Sequence, residues 1–104
     1  MPSGRKDARE ALADLELVFK ALAHPWRRHI LLVLNYRDGE MTSGEIAGRF
    51  SCRWPTVSHH LSALMRAGLV RVEKRGTERV YTLNRPRLIE VGRGWFNSFE
   101  KKEE

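Results

Sequence analysis

The 104-residue sequence predicts a mainly α-helical domain, about five helices with one small β-hairpin. Three observations carry this prediction. Apolar residues recur three or four positions apart through most of the chain. They alternate with polar residues only in "LVRVEKRGTERVYTL", residues 69–83, on both sides of Gly76. Residues that start or stop helices (Pro25, Thr42, Pro55, Gly68, Asn84) fall between the periodic segments.

The first helix is expected over Asp7 to Ala23, where Leu12, Leu15, Phe19 and Leu22 share a face. Leu17 and Val18 widen that face, which suggests a second body to pack against. "AHPW" ends it, because a residue before proline is pushed out of the helical region. Pro25 then opens a second helix with Trp26, Ile30, Val33 and Leu34 inward, closed by the turn "RDG". "TSGE" has the form of a capping box, with Thr42 and Glu45 exchanging hydrogen bonds at the head of a short helix, Ser43 to Phe50. A fourth helix runs from about Pro55 to Gly68, a natural stop. The hairpin follows, its tip near Arg75–Thr77. Asn84 caps a last helix on which Leu88, Gly92, Trp95 and Phe99 share a face flanked by Ile89 and Phe96. Only the two termini are expected to fray. Two helices joined by a tight turn and followed by a basic hairpin make a winged helix-turn-helix.

On a helical wheel of about 100° per residue, Val57, Leu61, Leu64 and Met65 form the buried side of the fourth helix. Thr56, His59, Ser62, Ala63 and Arg66 fall opposite, and Ser58 and His60 lie on the two flanks. Adjacent His59 and His60 therefore point apart and cannot share a metal from regular helix geometry. A helix entering the major groove needs short hydrogen-bonding side chains near its N-terminal half. Thr56, Ser58, His59 and Ser62 meet that need, and no acid occurs from Arg53 to Val72. Lys74 and Arg75 on the hairpin tip suit phosphate contacts or a narrow minor groove, with Arg79 following on the returning strand. A charged hairpin that only blocks edge pairing would use the same residues.

Charge agrees with this placement. Hydrophobic residues make up 41% and charged residues 31%, as in a folded globular chain, and the formal net charge is +6. Arg49 to Arg85 holds eight basic and two acidic residues, while the rest holds 11 of each, so the whole excess lies in one third of the chain. On charge alone such a segment is either the footprint of a polyanion partner or a solvated basic face. The longest apolar run, Ile30 to Leu34, is far below the roughly 20 residues of a membrane span, so no membrane partner is expected. "MPSGRKDARE" lacks the apolar stretch of a secretory signal, and one cysteine fits a reducing cytoplasm.

These residues resemble the ArsR-type winged-helix transcriptional repressors. "TSGEIAGRF", "PTVSHHLSALMRAGLV" and the wing through Gly76 and Tyr81 are similar to the family pattern in register, and the resemblance covers roughly Leu15 to Leu83. It implies a homodimer built from the first and last helices, bound to an inverted-repeat operator in double-stranded DNA. It also implies DNA contacts at Thr56, Ser58, His59 and Ser62, wing contacts at Lys74 and Arg75, and His60 as the residue that seats the helix; the neighbouring cations Arg53, Arg66 and Arg79 are expected to contact DNA beside them. Metal-sensing members carry Cys-x-Cys where this chain has Thr42 and Gly44. Others use the last helix, but Pro86 to Glu104 contains no His, Cys or Asp. The resemblance therefore points to a metal-independent branch without a cofactor, whose inducer is another ligand, a partner protein or nothing.

Residues 1–104 are thus expected to form one DNA-binding domain: 7–23 and 85–100 for dimerisation, 43–68 as the helix-turn-helix and 69–84 as the wing. Leu12, Leu15, Phe19, Leu88, Trp95, Phe96 and Phe99 are the expected dimer residues, because a terminal helix rarely leaves so many aromatics in water. The competing cover for them is the domain's own first helix. A thiol enzyme built on Cys52 with His59 or His60 lacks an oriented third group and the chain to build a pocket. A winged helix used only for protein–protein contact is the other alternative, although such modules usually lose the basic wing.

Overall fold

The computed structural model describes residues 7–100, so the expected fraying of residues 1–6 and 101–104 lies outside the described residues. Its order is α1 (Ala8–Leu22), α2 (Pro25–Tyr36), β1 (Glu40–Thr42), α3 (Ser43–Arg49), α4 (Trp54–Arg66), β2 (Val70–Arg75), β3 (Glu78–Leu83) and α5 (Arg85–Asn97). The five helices and the hairpin stand where the sequence puts them, with ends shifted by a few residues. The last helix shows the largest change, stopping at Asn97 rather than at residue 100, with Ser98 and Phe99 in a turn.

Local chemistry sets these boundaries. Asp7 and Glu10 form a capping box at the head of α1, and Thr42 and Glu45 form the expected one at the head of α3. Pro25 and Pro55 occupy first-turn positions of α2 and α4, where a missing N–H costs nothing. One element was not expected. β1 pairs antiparallel with β3, Met41 opposite Tyr81, giving a three-stranded sheet of order β1-β3-β2. Three residues are too few to display a period of two, so only the pairing reveals it. In the hairpin Arg75 faces Glu78 as the last strand pair, which narrows the tip to Gly76 and Thr77. Gly76 has φ +64, the positive value that a type II′ turn needs at its first central position.

A single core joins the layers. Val18 of α1, Leu34 of α2, Ile46 of α3, Leu61 and Leu64 of α4 and Leu69 beyond it are almost wholly buried. α5 contributes no fully buried residue; Leu88 and Val91 pack against the core edge.

α4 ends in a Schellman motif: the Gly68 amide donates to the Met65 carbonyl and the Leu69 amide to Leu64, each at 2.9 Å. Gly68 has φ +76, and a Cβ there would lie 2.7 Å from Nε of Arg87. That guanidinium is itself pinned, donating to the Ala67 carbonyl at 2.6 Å and to Asp14 of α1 at 3.3 Å. Gly68→Ala therefore meets both a backbone and a steric penalty, and should lower unfolding free energy by about 1–3 kcal/mol. Chemical denaturation checks this, and an unchanged midpoint would contradict the packing described.

Candidate nucleic-acid interface

α4 is gripped from α1, α2 and β2, so its buried arc is wider than the wheel suggested. Val57, His60, Leu61, Ala63 and Leu64 are all buried. Ala63, expected to face outward, is a correction: the arc extends past His60 to include it, because packed elements flank α4 on more than one side. Ser58 moves correspondingly onto the accessible side, half-exposed like Ser62, while Thr56, His59 and Arg66 are exposed. Arg53 is exposed at the N-cap, where no side chain caps the first turn.

His59 and His60 take separate environments, as their wheel positions require. His60 is 6% exposed, and its Nδ1 accepts from Nε of Arg27 on α2 at 3.2 Å. The neutral ring must then carry its proton on Nε2. Its nearest ring neighbour is His24, centroids 4.3 Å apart against 5.6 Å for His59, and His24 caps α2 by accepting the Trp26 amide at Nδ1. Burial first, then the nearby His24, Arg27 and His59, hold the His60 pKa below its ordinary value. Arg27 and His24 are residues that sequence reasoning missed. His24 lies before a proline like any helix-entry residue, and Arg27 looks like one more surface cation until the fold places it under α4.

The wing departs from expectation in one respect. Arg75 does not extend freely from the tip: its guanidinium contacts both oxygens of Glu40 on β1, at 3.0 and 3.3 Å, and Glu73 at 3.2 Å. Those carboxylates hold Arg75 above its ordinary pKa range. β1, invisible in the sequence, supplies the partner that sequence reasoning lacked. Lys74 and Arg79 instead stand directly opposite one another across the β2–β3 ladder, both exposed and neither in an ion pair among the described residues. Like charges directly opposite in a sheet are destabilising.

The first and last helices form a second surface. Trp95 meets Phe19 of α1 edge to face at 5.0 Å, and Phe19 and Leu88 pack against the core, so these three are partly satisfied within the chain. Phe96 and Phe99 remain 66% and 68% exposed, and Leu12 is 60% exposed. A hollow of about 560 Å³ opens between the helices, lined by Leu12, Leu15, Val91, Gly94 and Trp95 among others. Cys52 is a half-buried free thiol packed against the core edge. Among the described residues no three His, Cys, Asp or Glu side chains are grouped to hold a metal, and no helix is long and apolar enough to cross a membrane.

Comparison with known proteins agrees with this architecture. A helix-turn-helix domain family model matches residues 22–73. The transcriptional repressor SdpR of Bacillus subtilis is 36% identical over 85 residues, covering 82% of this chain and 91% of SdpR. An ArsR-like transcriptional regulator from Rhodococcus sp. RHA1 superposes with a TM-score of 0.74 at 29% identity, covering 85% of this chain and 81% of that one. A homodimeric winged helix-turn-helix DNA-binding domain from Mycobacterium bovis gives 0.68 at 28% identity, covering 99% and 98%.

The buried imidazole sets a pH dependence. The folded state favours neutral His60, so as pH falls the unfolded chain takes up the proton first. The stability from this group is complete above the ordinary value of 6.5 and is lost as pH falls through the lowered folded value. Thermal unfolding followed from neutral pH to about pH 5 should show a decline that His60→Gln, which keeps an acceptor for Arg27, makes shallower. Identical slopes in the two proteins would remove His60 as the cause.

Proposed function

The chain belongs to the ArsR-type winged-helix transcriptional regulators, a DNA-binding rather than enzymatic family, and from that premise we propose that it is a homodimeric repressor occupying an inverted-repeat operator. α4 enters the major groove and presents Thr56, Ser58, His59 and Ser62 to base edges, with Arg53 and Arg66 on the flanking phosphates. His60 does not read bases; it fixes α4 on α2 through Arg27. On the wing, Lys74 and Arg79 meet phosphates directly, and Arg75 does so on exchanging Glu40 for the DNA backbone. Phe96, Phe99 and Leu12 form the dimer surface, where the hollow between α1 and α5 receives side chains of the second copy. Leu15, Phe19, Leu88 and Trp95 support that surface from beneath. No metal takes part, and repression comes from covering the promoter.

The observation that carries this reading is the opposed pair Lys74 and Arg79, a concentration of like charge with no ion-pair partner among the described residues, in the same segment as the acid-free exposed side of α4. Such a pair lowers the stability of the free protein and gains from a polyanion. Lys74→Thr should accordingly raise unfolding free energy by about 0.2–1 kcal/mol. The same change should weaken DNA binding and reduce the salt slope by about one. Loss of stability, or unchanged affinity, would count against the wing as a phosphate contact.

Binding-site selection from random duplexes, repeated with chelator, tests the whole proposal. A symmetric consensus unaffected by chelator is expected; recovery of no consensus at low salt would refute it. His59→Ala should relax preference at one base position per half-site, at a cost of about 1–3 kcal/mol. Phe96→Ser with Phe99→Ser should give monomers by size-exclusion chromatography that bind the selected site poorly, whereas persistent dimers would move the interface elsewhere.

A further inference from the structure

A second concavity, of about 400 Å³, lies where α2, β3 and the N-terminal end of α5 meet, within the range of roughly 300–1,000 Å³ typical of small-molecule sites. Leu22, Leu31, Leu83 and Leu88 line it, and Leu32 and Ile89 form its open lip, 60% and 46% exposed. Ile89 lies about two turns of α5 before Phe96, so this groove is offset along the helix from the exposed aromatic end.

Among the described residues its only charged lining residues are Arg28 and Arg85. Arg28 donates to the Leu22 carbonyl at 2.7 Å, and Arg85 donates to Oδ1 of Asn35 at 2.7 Å. Both partners are neutral. Arg37, Arg75 and Arg87 each pair with a carboxylate, but neither groove arginine does so among the described residues. A guanidinium is always charged and carries five donors, so each retains donors and a full charge beside an apolar surface. A simple anion would leave the leucines wet, and a hydrocarbon would leave the arginines unanswered. An apolar chain ending in an anionic head satisfies both, and a carboxylate is the simplest such head.

We propose that this groove is an effector site for a medium-chain monocarboxylate. Its regulatory sense rests on the proposed DNA-binding function, although occupancy can be measured without DNA. The groove joins α2, whose Arg27 holds His60 of the recognition helix, to α5, so a ligand bridging the two acts on the seat of α4.

The test is calorimetric titration of the full-length protein with octanoate, kept below micelle formation, and with octanol as its uncharged counterpart. Octanoate should bind saturably, one per protomer, and octanol at least roughly tenfold more weakly. Arg28→Gln with Arg85→Gln should lower octanoate affinity to the octanol level and leave octanol unchanged. No saturable octanoate binding, or equal affinity for acid and alcohol, overturns the assignment. Leu32→Glu that converts a dimer to monomers marks the groove as the seat of a second copy, and also overturns it. Retention of the selected duplex, measured on the same samples, keeps the two readings apart. If octanoate fails to bind while DNA is retained, only the groove assignment falls; if octanoate binds and DNA is never retained, only the DNA-binding reading falls.

Discussion

Arg87 joins the two halves of the molecule. From α5 its guanidinium reaches the last carbonyls of α4 at Ala67 and the carboxylate of Asp14 on α1. A cation at a helix C-terminus is favoured by the unsatisfied carbonyls there and by the helix dipole. Arg87 and Asp14 are both only about one-fifth exposed, so the ion pair between them is largely shielded from water. Asn84 reinforces the joint, its side chain donating to the Gly68 carbonyl while its Oδ1 accepts the Arg87 amide. Gly68, lacking a Cβ, leaves the space this arginine occupies. The direction of the recognition helix is thereby tied to the helix pair proposed for dimerisation.

The middle of α4 is held differently. There Arg27 and His60 connect α4 to α2 by one hydrogen bond between a cation and a neutral ring. Two polar seats, one at mid-helix and one at the C-terminal end, leave the accessible side of α4 free of structural duty, so Ser58, His59 and Ser62 are available for the recognition proposed for them. The wing shows a related economy. Glu40 and Glu73 hold Arg75 in place, while Lys74 and Arg79 accept an unfavourable juxtaposition. Residues that break local rules without an internal remedy are where binding to another molecule is expected.

Much of this was legible because its causes are local. The Thr42–Glu45 capping box spans three residues, the Gly68 stop needs only its own turn, and the change of period at Leu69 is read along one segment. What escaped was non-local. Arg27 and His60 are 33 positions apart, Arg75 and Glu40 are 35, and Arg87 and Asp14 are 73. Single polar contacts over such separations leave no periodic trace. The error at Ala63 has a similar origin: a wheel places residues about one axis, but how many neighbours surround that axis is a property of the fold. The aromatic end of α5 was half-legible, since an unpartnered apolar face looks the same whether Phe19 or a second copy covers it.

The central claim is that dimerisation fixes two recognition helices at one spacing. Hydroxyl-radical footprinting of the protein on its selected operator measures this directly. Two equivalent protected stretches are expected on one face of the duplex, with half-site centres about 10–10.5 base pairs, or an integral number of turns, apart. A single protected stretch, or two stretches whose separation varies from site to site, would contradict it.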